Sequence, residues 1–270
     1  MAGNQVMKPG EIEGFLNHLA KLAANETLPR FRQLGSIDNK LTTGFDPVTE
    51  ADRAAERIIR EEIAKQFPEH GVIGEEYGEL QPEAEFCWVI DPVDGTKAFV
   101  AGIPMWGTLI ALCKEGAPIA GIMSQPFTEE RFIAAGNITQ YHHKNTVKQI
   151  STSENTDLSN AILMTTTPDM FNEKERPAFK DLSERCKLVR YGADCYAYCV
   201  LAAGHIDIVV ESGLNFYDIA AIIPIIEGAG GVITDWSGNP NPQGGKVIAA
   251  ANPQLHQTAL DILVINHPAD

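Results

Sequence analysis

Asp91 and Asp94 stand three residues apart in the segment Trp88-Val-Ile-Asp-Pro-Val-Asp-Gly-Thr96. An apolar strand over residues 86–90 would end at Asp91, because Pro92 has no N–H to give to a sheet ladder. The two carboxylates and the Val93 carbonyl between them can converge on one point as hard oxygen donors, the ligands Mg²⁺ takes. Gly95 and Thr96 would then open the next helix, where N–H groups lacking intrahelical partners attract anions. A divalent cation and a phosphate group are thus set side by side within one short segment.

Taken singly, each acid has a plain structural alternative. Asp-Pro and Asp-Gly are common turn dipeptides. Glu75 and Glu76 follow the apolar run 72–74, at a strand end or in a solvated loop. Asp52, in Thr49-Glu-Ala-Asp52, fits a helix capping box. Asp218 begins the helix Asp218-Ile-Ala-Ala, where an acid suits the macrodipole without any catalytic part.

The elements that must position these residues follow from periodicity. Ile12, Phe15, Leu16, Leu19 and Leu22 form a helical stripe within residues 11–33. A turn containing Gly44 and Pro47 precedes a second helix over about 49–67. Short apolar runs at 72–73, 86–90, 106–112 and 119–123 read as strands, with a hairpin turn at 114–117 and further hairpin strands within 131–150. Beyond residue 150, strands at 161–165, 188–191, 206–211, 232–234 and 247–251 alternate with helices at 174–185, 195–204 and 218–227 and a last helix from Pro253. This alternation predicts a layered α/β fold in two subdomains, residues 1–150 and 151–270.

Bulk properties narrow the function. The chain has 270 residues, with 21 Lys plus Arg against 36 Asp plus Glu, a formal charge of −15. Such a surface repels nucleic-acid backbones and anionic lipids. There is no apolar run of the ~20 residues a membrane helix needs, and no leader pattern at the N-terminus, so the expected setting is the cytoplasm. The cysteines, Cys87, Cys113, Cys186, Cys195 and Cys199, include no C-x-x-C pair and read as reduced packing residues. The histidines lack metal-ligand spacing, which favours an oxygen-ligand cation over zinc.

The motifs also occur together. Asp46-Pro-Val-Thr-Glu-Ala-Asp52, Gly74-Glu-Glu76, Asp91-Pro-Val-Asp-Gly-Thr96, Tyr217-Asp-Ile-Ala-Ala221 and Gly228-Ala-Gly-Gly231 resemble, in order and spacing, the inositol monophosphatase family over about residues 10–265. Asp-Gly-Thr-Lys97, Ile103-Pro-Met-Trp-Gly-Thr-Leu-Ile-Ala-Leu112 and Gly192-Ala-Asp-Cys-Tyr-Ala-Tyr198 are similar to its histidinol-phosphate phosphatase branch. The resemblance implies alternating helix and sheet layers (αβαβα), a homodimer, and a Mg²⁺-dependent phosphomonoesterase with two to three ions per site. Glu75, Asp91 and the Val93 carbonyl would hold the first ion. Asp91, Asp94 and Asp218 would hold a second, with Asp91 bridging, and Glu75 would help place a third through water. Gly95 and Thr96 would bind the phosphate, while Asp52 and the Thr96 hydroxyl orient the attacking water. The charge logic agrees: Mg²⁺ lowers the pKa of bound water and offsets the charge of attacking and leaving oxygens.

Histidinol phosphate carries an ammonium and an imidazole, so carboxylates at the pocket mouth would favour it over an inositol phosphate. Asp194 and Glu211 are the candidates to face that cationic end. Asp194 has an alternative as N-cap of the helix at 195–204, and inositol-specific relatives also carry an acid like Glu211. Tyr217 stands where many family members have Trp. The closest competing activity is an inositol-1-monophosphatase or broad small-molecule phosphatase; a rival of another class is a non-catalytic binding module, disfavoured by the intact acids.

Overall fold

The computed structural model describes residues 7–33, 37–39, 47–240 and 242–265. Gly44 and Asp46 lie outside the described residues. In chain order come α1 (Pro9–Thr27), β1 (Ile37–Asn39), β2 (Pro47–Thr49), α2 (Glu50–Gln66), β3 (Gly71–Gly74), β4 (Gly78–Leu80) and β5 (Phe86–Asp94). Next are α3 (Thr96–Val100), β6 (Gly107–Lys114), β7 (Ala117–Gln125), β8 (Glu130–Ala135), β9 (Thr139–His143) and β10 (Thr146–Gln149). The rest runs β11 (Ile162–Thr165), α4 (Arg176–Arg185), β12 (Leu188–Tyr191), α5 (Cys195–Ala202), β13 (Ile208–Leu214), α6 (Phe216–Ile219), α7 (Ile222–Gly228), β14 (Val232–Asp235), β15 (Gly245–Ala250) and α8 (Pro253–Ile265).

Two large sheets organise the layers, eight strands in the order β10-β9-β8-β7-β6-β5-β3-β4 and five in the order β12-β11-β13-β15-β14, while β1 and β2 pair with each other as a separate two-stranded sheet. On β5, Trp88 and Ile90 meet Leu16, Leu19, Ile59 and Ile63 of α1 and α2. Val89 points the other way, into a middle layer with Tyr198 and Leu201 of α5, Ile222 and Ile226 of α7, and Val209 of β13. The far face of the smaller sheet, with Ile208, Val210 and Ile248, is covered by Phe179 and Leu182 of α4 and Leu255 and Leu263 of α8. The layers therefore run α-β-α-β-α, and the central strands are apolar throughout because both of their faces are covered. Gly121 lets β7 approach α7 closely, since a Cβ there would collide with the Ala221 backbone.

Three local expectations change. The first helix ends at Thr27, short of residue 33, because Pro29 has no N–H for the Asn25 carbonyl. The helix expected over 218–227 is two, α6 and α7, because Pro224 cannot donate to Ala220. The strand expected to stop at Asp91 continues to Asp94 through an irregularity. All five thiols are free, and four of them are buried. No described helix is long and apolar enough to cross a membrane.

Candidate active site

The irregularity in β5 creates the site. Asp91 pairs with Leu109 and Asp94 with Gly107, so Pro92 and Val93 together face Thr108, whose hydroxyl donates to the Pro92 carbonyl at 2.8 Å. In an unbroken strand, residues three apart point to opposite faces. One extra residue, a β-bulge, returns Asp94 to the face of Asp91, toward the middle layer. Gly95 then turns the chain at φ +82°, where an added Cβ would stand 2.7 Å from the Met105 carbonyl oxygen. Thr96 opens α3, as expected.

Asp91, Asp94 and Asp218 each bring a carboxylate oxygen within 4.8 Å of the others. A backbone N–H ties one oxygen of each: Val93 to Asp91 at 3.1 Å, Cys195 to Asp94 at 2.6 Å, and Asn215 to Asp218 at 2.6 Å. Asp218 sits at the third position of α6 and closes a capping box with Asn215, so it does not begin its helix as expected. Burial, then the charges of Glu75, Asp94 and Asp218, hold the Asp91 carboxyl well above the usual carboxylate range. Burial followed by Asp194 and Asp218 does the same to Asp94. Asp218 is pushed up to about 7, mainly by burial, with Glu75 and Glu211 adding to it. Three converging carboxyls, each raised by burial and by neighbouring acids, fit a hard divalent cation, which would offset the charge gathered there.

Glu75 stands beside this triplet. Its N–H donates to the Ile90 carbonyl at 3.2 Å, extending the parallel pairing of β3 with β5 that sets Gly74 opposite Ile90. The turn it rides on is held from behind by Glu56, a fully buried residue of α2. Glu56 accepts the Glu76 N–H at 2.7 Å, the Tyr77 N–H at 3.2 Å and the Arg60 guanidinium at 2.7 Å.

Asp52 forms the expected capping box, and its second oxygen lies near Thr96. Its Oδ2 accepts the Thr49 N–H at 2.9 Å and the Thr49 hydroxyl at 2.6 Å, completing the capping box. Its Oδ1 lies 3.5 Å from the Thr96 hydroxyl, which also donates to the Val93 carbonyl at 3.0 Å. Burial raises Asp52 to about 6 against the lowering effect of the Thr49 bonds.

The acids open into a cleft of about 290 Å³ that is also lined by Lys97, Thr166, Met170, Asp194, Tyr198, Glu211, Leu214, Asn215 and Tyr217. Asp194 holds the N-cap position of α5, yet its side chain makes no capping bond. Gly192, Ala193 and Asp194 run at φ +89°, +86° and +46°, a left-handed path that two non-glycine residues adopt only under strain. Burial pushes Asp194 up to about 6, and Lys97 draws it back. Glu211 also lines the cleft, but Thr166 donates to its Oε1 from N–H (3.0 Å) and hydroxyl (2.5 Å), and Tyr198 donates to Oε2 at 3.0 Å. Burial raises Glu211 to about 7, and those bonds oppose the rise. Thr166, Met170 and Asn215 escaped sequence reading because they sit in loops without periodicity. Lys97 and Tyr198 were visible only inside branch motifs.

This fold, with an acidic cluster beside the Gly95 turn, is that of a phosphoric monoester hydrolase acting on small-molecule phosphate esters. The sequence model of the inositol monophosphatase family matches residues 9–267, and the chain belongs to that family. It is 40% identical over 259 residues to the bifunctional phosphatase IMPL2, chloroplastic, of Arabidopsis thaliana, covering 92% of this chain and 73% of that one. It is 37% identical over 259 residues to a histidinol-phosphatase of Streptomyces coelicolor, covering 91% and 94%. The solved structure of an inositol monophosphatase from Zymomonas mobilis superposes with a TM-score of 0.85 at 38% identity, covering 96% and 99%.

Proposed function

We propose that the chain hydrolyses histidinol phosphate to histidinol and phosphate, with Mg²⁺ held by Asp91, Asp94, Asp218, Glu75 and the Val93 carbonyl. The observation that carries the substrate is Asp194, a half-buried carboxylate in the cleft wall whose side chain caps nothing. Relatives named histidinol-phosphatase support the same reading.

When bound, Mg²⁺ supplies the positive charge that lowers the pKa of water and offsets charge on the attacking and leaving oxygens. Asp91 would be the carboxylate shared between two such ions, with Asp94, Asp218 and Glu75 completing the ligand set. Backbone N–H groups of Gly95 and Thr96 hold the phosphate. Asp52 Oδ1 and the Thr96 hydroxyl orient the attacking water, and Asp52, at about 6, is ionised and able to accept a proton near neutral pH. Asp194 faces the cationic end of the ester. Glu211 acts on that end indirectly, through Thr166 and Tyr198.

Phosphate release from histidinol phosphate and from inositol 1-phosphate, with Mg²⁺ or with EDTA, tests the reading. Histidinol phosphate is expected to turn over faster, and EDTA to abolish both activities. Equal or faster turnover of the inositol ester, the competing reading suggested by the Zymomonas mobilis likeness, sinks the substrate assignment. Activity indifferent to EDTA sinks the metal. A cytoplasmic homodimer built of subdomains 1–150 and 151–270 belongs to the same reading; light scattering in solution checks the mass, which is 29.4 kDa for one chain.

A further inference from the structure

The phosphate chemistry makes no use of the strap between β11 and α4, residues 166–175. Apart from a single 3₁₀ turn, Pro168–Met170, it has no regular structure, yet it is pinned at both ends by buried carboxylates. At its start, Thr166 is held on Glu211 through both its N–H and its hydroxyl. At its end, Glu175 is 6% exposed, and its Oε2 accepts the Asn172 N–H at 3.1 Å and the Ser212 hydroxyl at 2.9 Å. Glu211 and Ser212 are neighbours on β13, so one short piece of strand anchors the whole strap. Phe171, fully buried, stacks on Phe179 at 4.3 Å between ring centres and fixes the middle.

Between these anchors the strap delivers Met170 to the wall of the cleft. Its sulfur accepts the Thr165 hydroxyl at 3.2 Å, which restricts a side chain that is otherwise the most adaptable of the apolar residues. Leu214 and Tyr217 line the same cleft. The cleft therefore presents these three apolar side chains beside a carboxylate, Asp194. A polyol would set hydroxyls against Met170 and Leu214 without partners, at a desolvation cost. A flat heteroaromatic ring can lay an apolar face on that wall, keep its edge nitrogens toward the polar lining, and gain sulfur–aromatic contact.

We infer that the 166–175 strap determines specificity in this cleft, with Met170 packing on a planar aromatic or heteroaromatic tail of the phosphate ester and Glu211 and Glu175 as positioning residues. The inference rests on the proposed substrate and sharpens it, since imidazole is such a ring.

The test compares wild type, Met170→Ala, Met170→Leu and Glu175→Gln on histidinol phosphate and on glycerol 2-phosphate, an ester without a ring, at saturating Mg²⁺. Met170→Ala is expected to raise KM for histidinol phosphate by ~10-fold, with kcat and the glycerol ester changed less than ~2-fold. Met170→Leu should restore most of the selectivity, and Glu175→Gln should lose part of it. An equal KM rise for both esters, or none for histidinol phosphate, overturns the inference. If wild type ignores histidinol phosphate while hydrolysing inositol 1-phosphate, the proposed substrate fails. The strap is then judged on phenyl phosphate against glycerol 2-phosphate in the same variants, and unchanged selectivity there overturns it as well.

Discussion

The strands β5 and β13 reach the cleft from different sheets by the same device. Each carries one extra residue just before its end: Pro92-Val93 opposite Thr108 in β5, and Ser212-Gly213 opposite Lys246 in β13. Each bulge brings residues three apart onto one face. In β5 those residues are Asp91 and Asp94; in β13 they are Glu211 and Leu214. The carboxylates of β5 are aimed at one another and at Asp218, and like charge adds to burial in raising them. The carboxylate of β13 is aimed at donors, Thr166 and Tyr198, which offset its burial. The bulge supplies convergence in both places. Whether the acid serves a ligand or the fold is decided by what surrounds it.

The largest expected effect separates these two acids. Asp91→Asn should lower kcat/KM by ~10³-fold or more, because a ligand to the catalytic cation is lost. It should also remove the rise in Tm that Mg²⁺ gives, and raise the Tm of metal-free protein by deleting one of the repelling charges. Glu211→Gln should keep the Mg²⁺-dependent rise in Tm and cost only ~10-fold in kcat/KM, on the scale of lost binding contacts. Equal loss of the Mg²⁺ response in both variants would break the comparison.

Glu56 sharpens it. Behind the metal end it does for the Glu75 turn what Glu211 does for the strap: a buried carboxylate filled by protein donors holds a loop in place. Gln at position 56 would turn an NH₂ toward one of the N–H groups that Glu56 now accepts. Glu56→Gln should weaken Mg²⁺ binding by ~10–100-fold, the usual size for partners that orient a ligand. Calorimetric Mg²⁺ titration reads this directly, and an unchanged affinity would leave Glu56 a purely structural residue.

The pH dependence of stability should be inverted relative to most proteins. Asp52 at about 6 and Asp218 and Glu211 at about 7 lie above their ordinary values of 3.8, 3.8 and 4.5. Between those ordinary values and about 7 the folded chain binds more protons than the unfolded one. Stability of the metal-free protein is therefore greatest on the acid side of that window and falls as pH rises through it. Mg²⁺ binds the ionised acids, so its stabilising effect should grow over the same window. Melting curves at pH 5 and pH 8, with EDTA or Mg²⁺, check both signs. A metal-free Tm that rises with pH would mean that these carboxyls are not raised by burial.

The sequence disclosed the acidic triplet far better than the rest of the cleft, for a physical reason. Residues 91–96 carry the candidate cation and phosphate donors in one contiguous segment, and the layers follow from strand–helix alternation. The bulge was hidden, since Pro92 reads equally as the end of a strand. That Asp194 makes no cap bond could not be read from the sequence, because the backbone at Ala193 and Asp194 is left-handed where no glycine marks it. The strap was invisible: its anchors on β13 lie 45 and 37 residues away along the chain. Glu56 looked like any solvated acid on a helix, and only the fold buries it.

The smallest effect distinguishes the two bulges by their glycines. Gly213, inside the β13 bulge, has φ +78°, and a Cβ added there would meet nothing within 4 Å. Gly213→Ala should therefore cost only the left-handed backbone penalty, ~1–2 kcal/mol, with Mg²⁺ binding unchanged. Gly95 has nearly the same φ, but its added Cβ would press on the Met105 carbonyl oxygen, 2.7 Å away, beside Asp94. Gly95→Ala should cost more stability and reduce activity as well, because relieving the clash moves the turn that holds the phosphate donors. Urea unfolding together with phosphate release compares the pair. If Gly213→Ala proves as damaging as Gly95→Ala, the β13 bulge is under steric demands of its own, and the contrast drawn here between a chemical and a supporting bulge is lost.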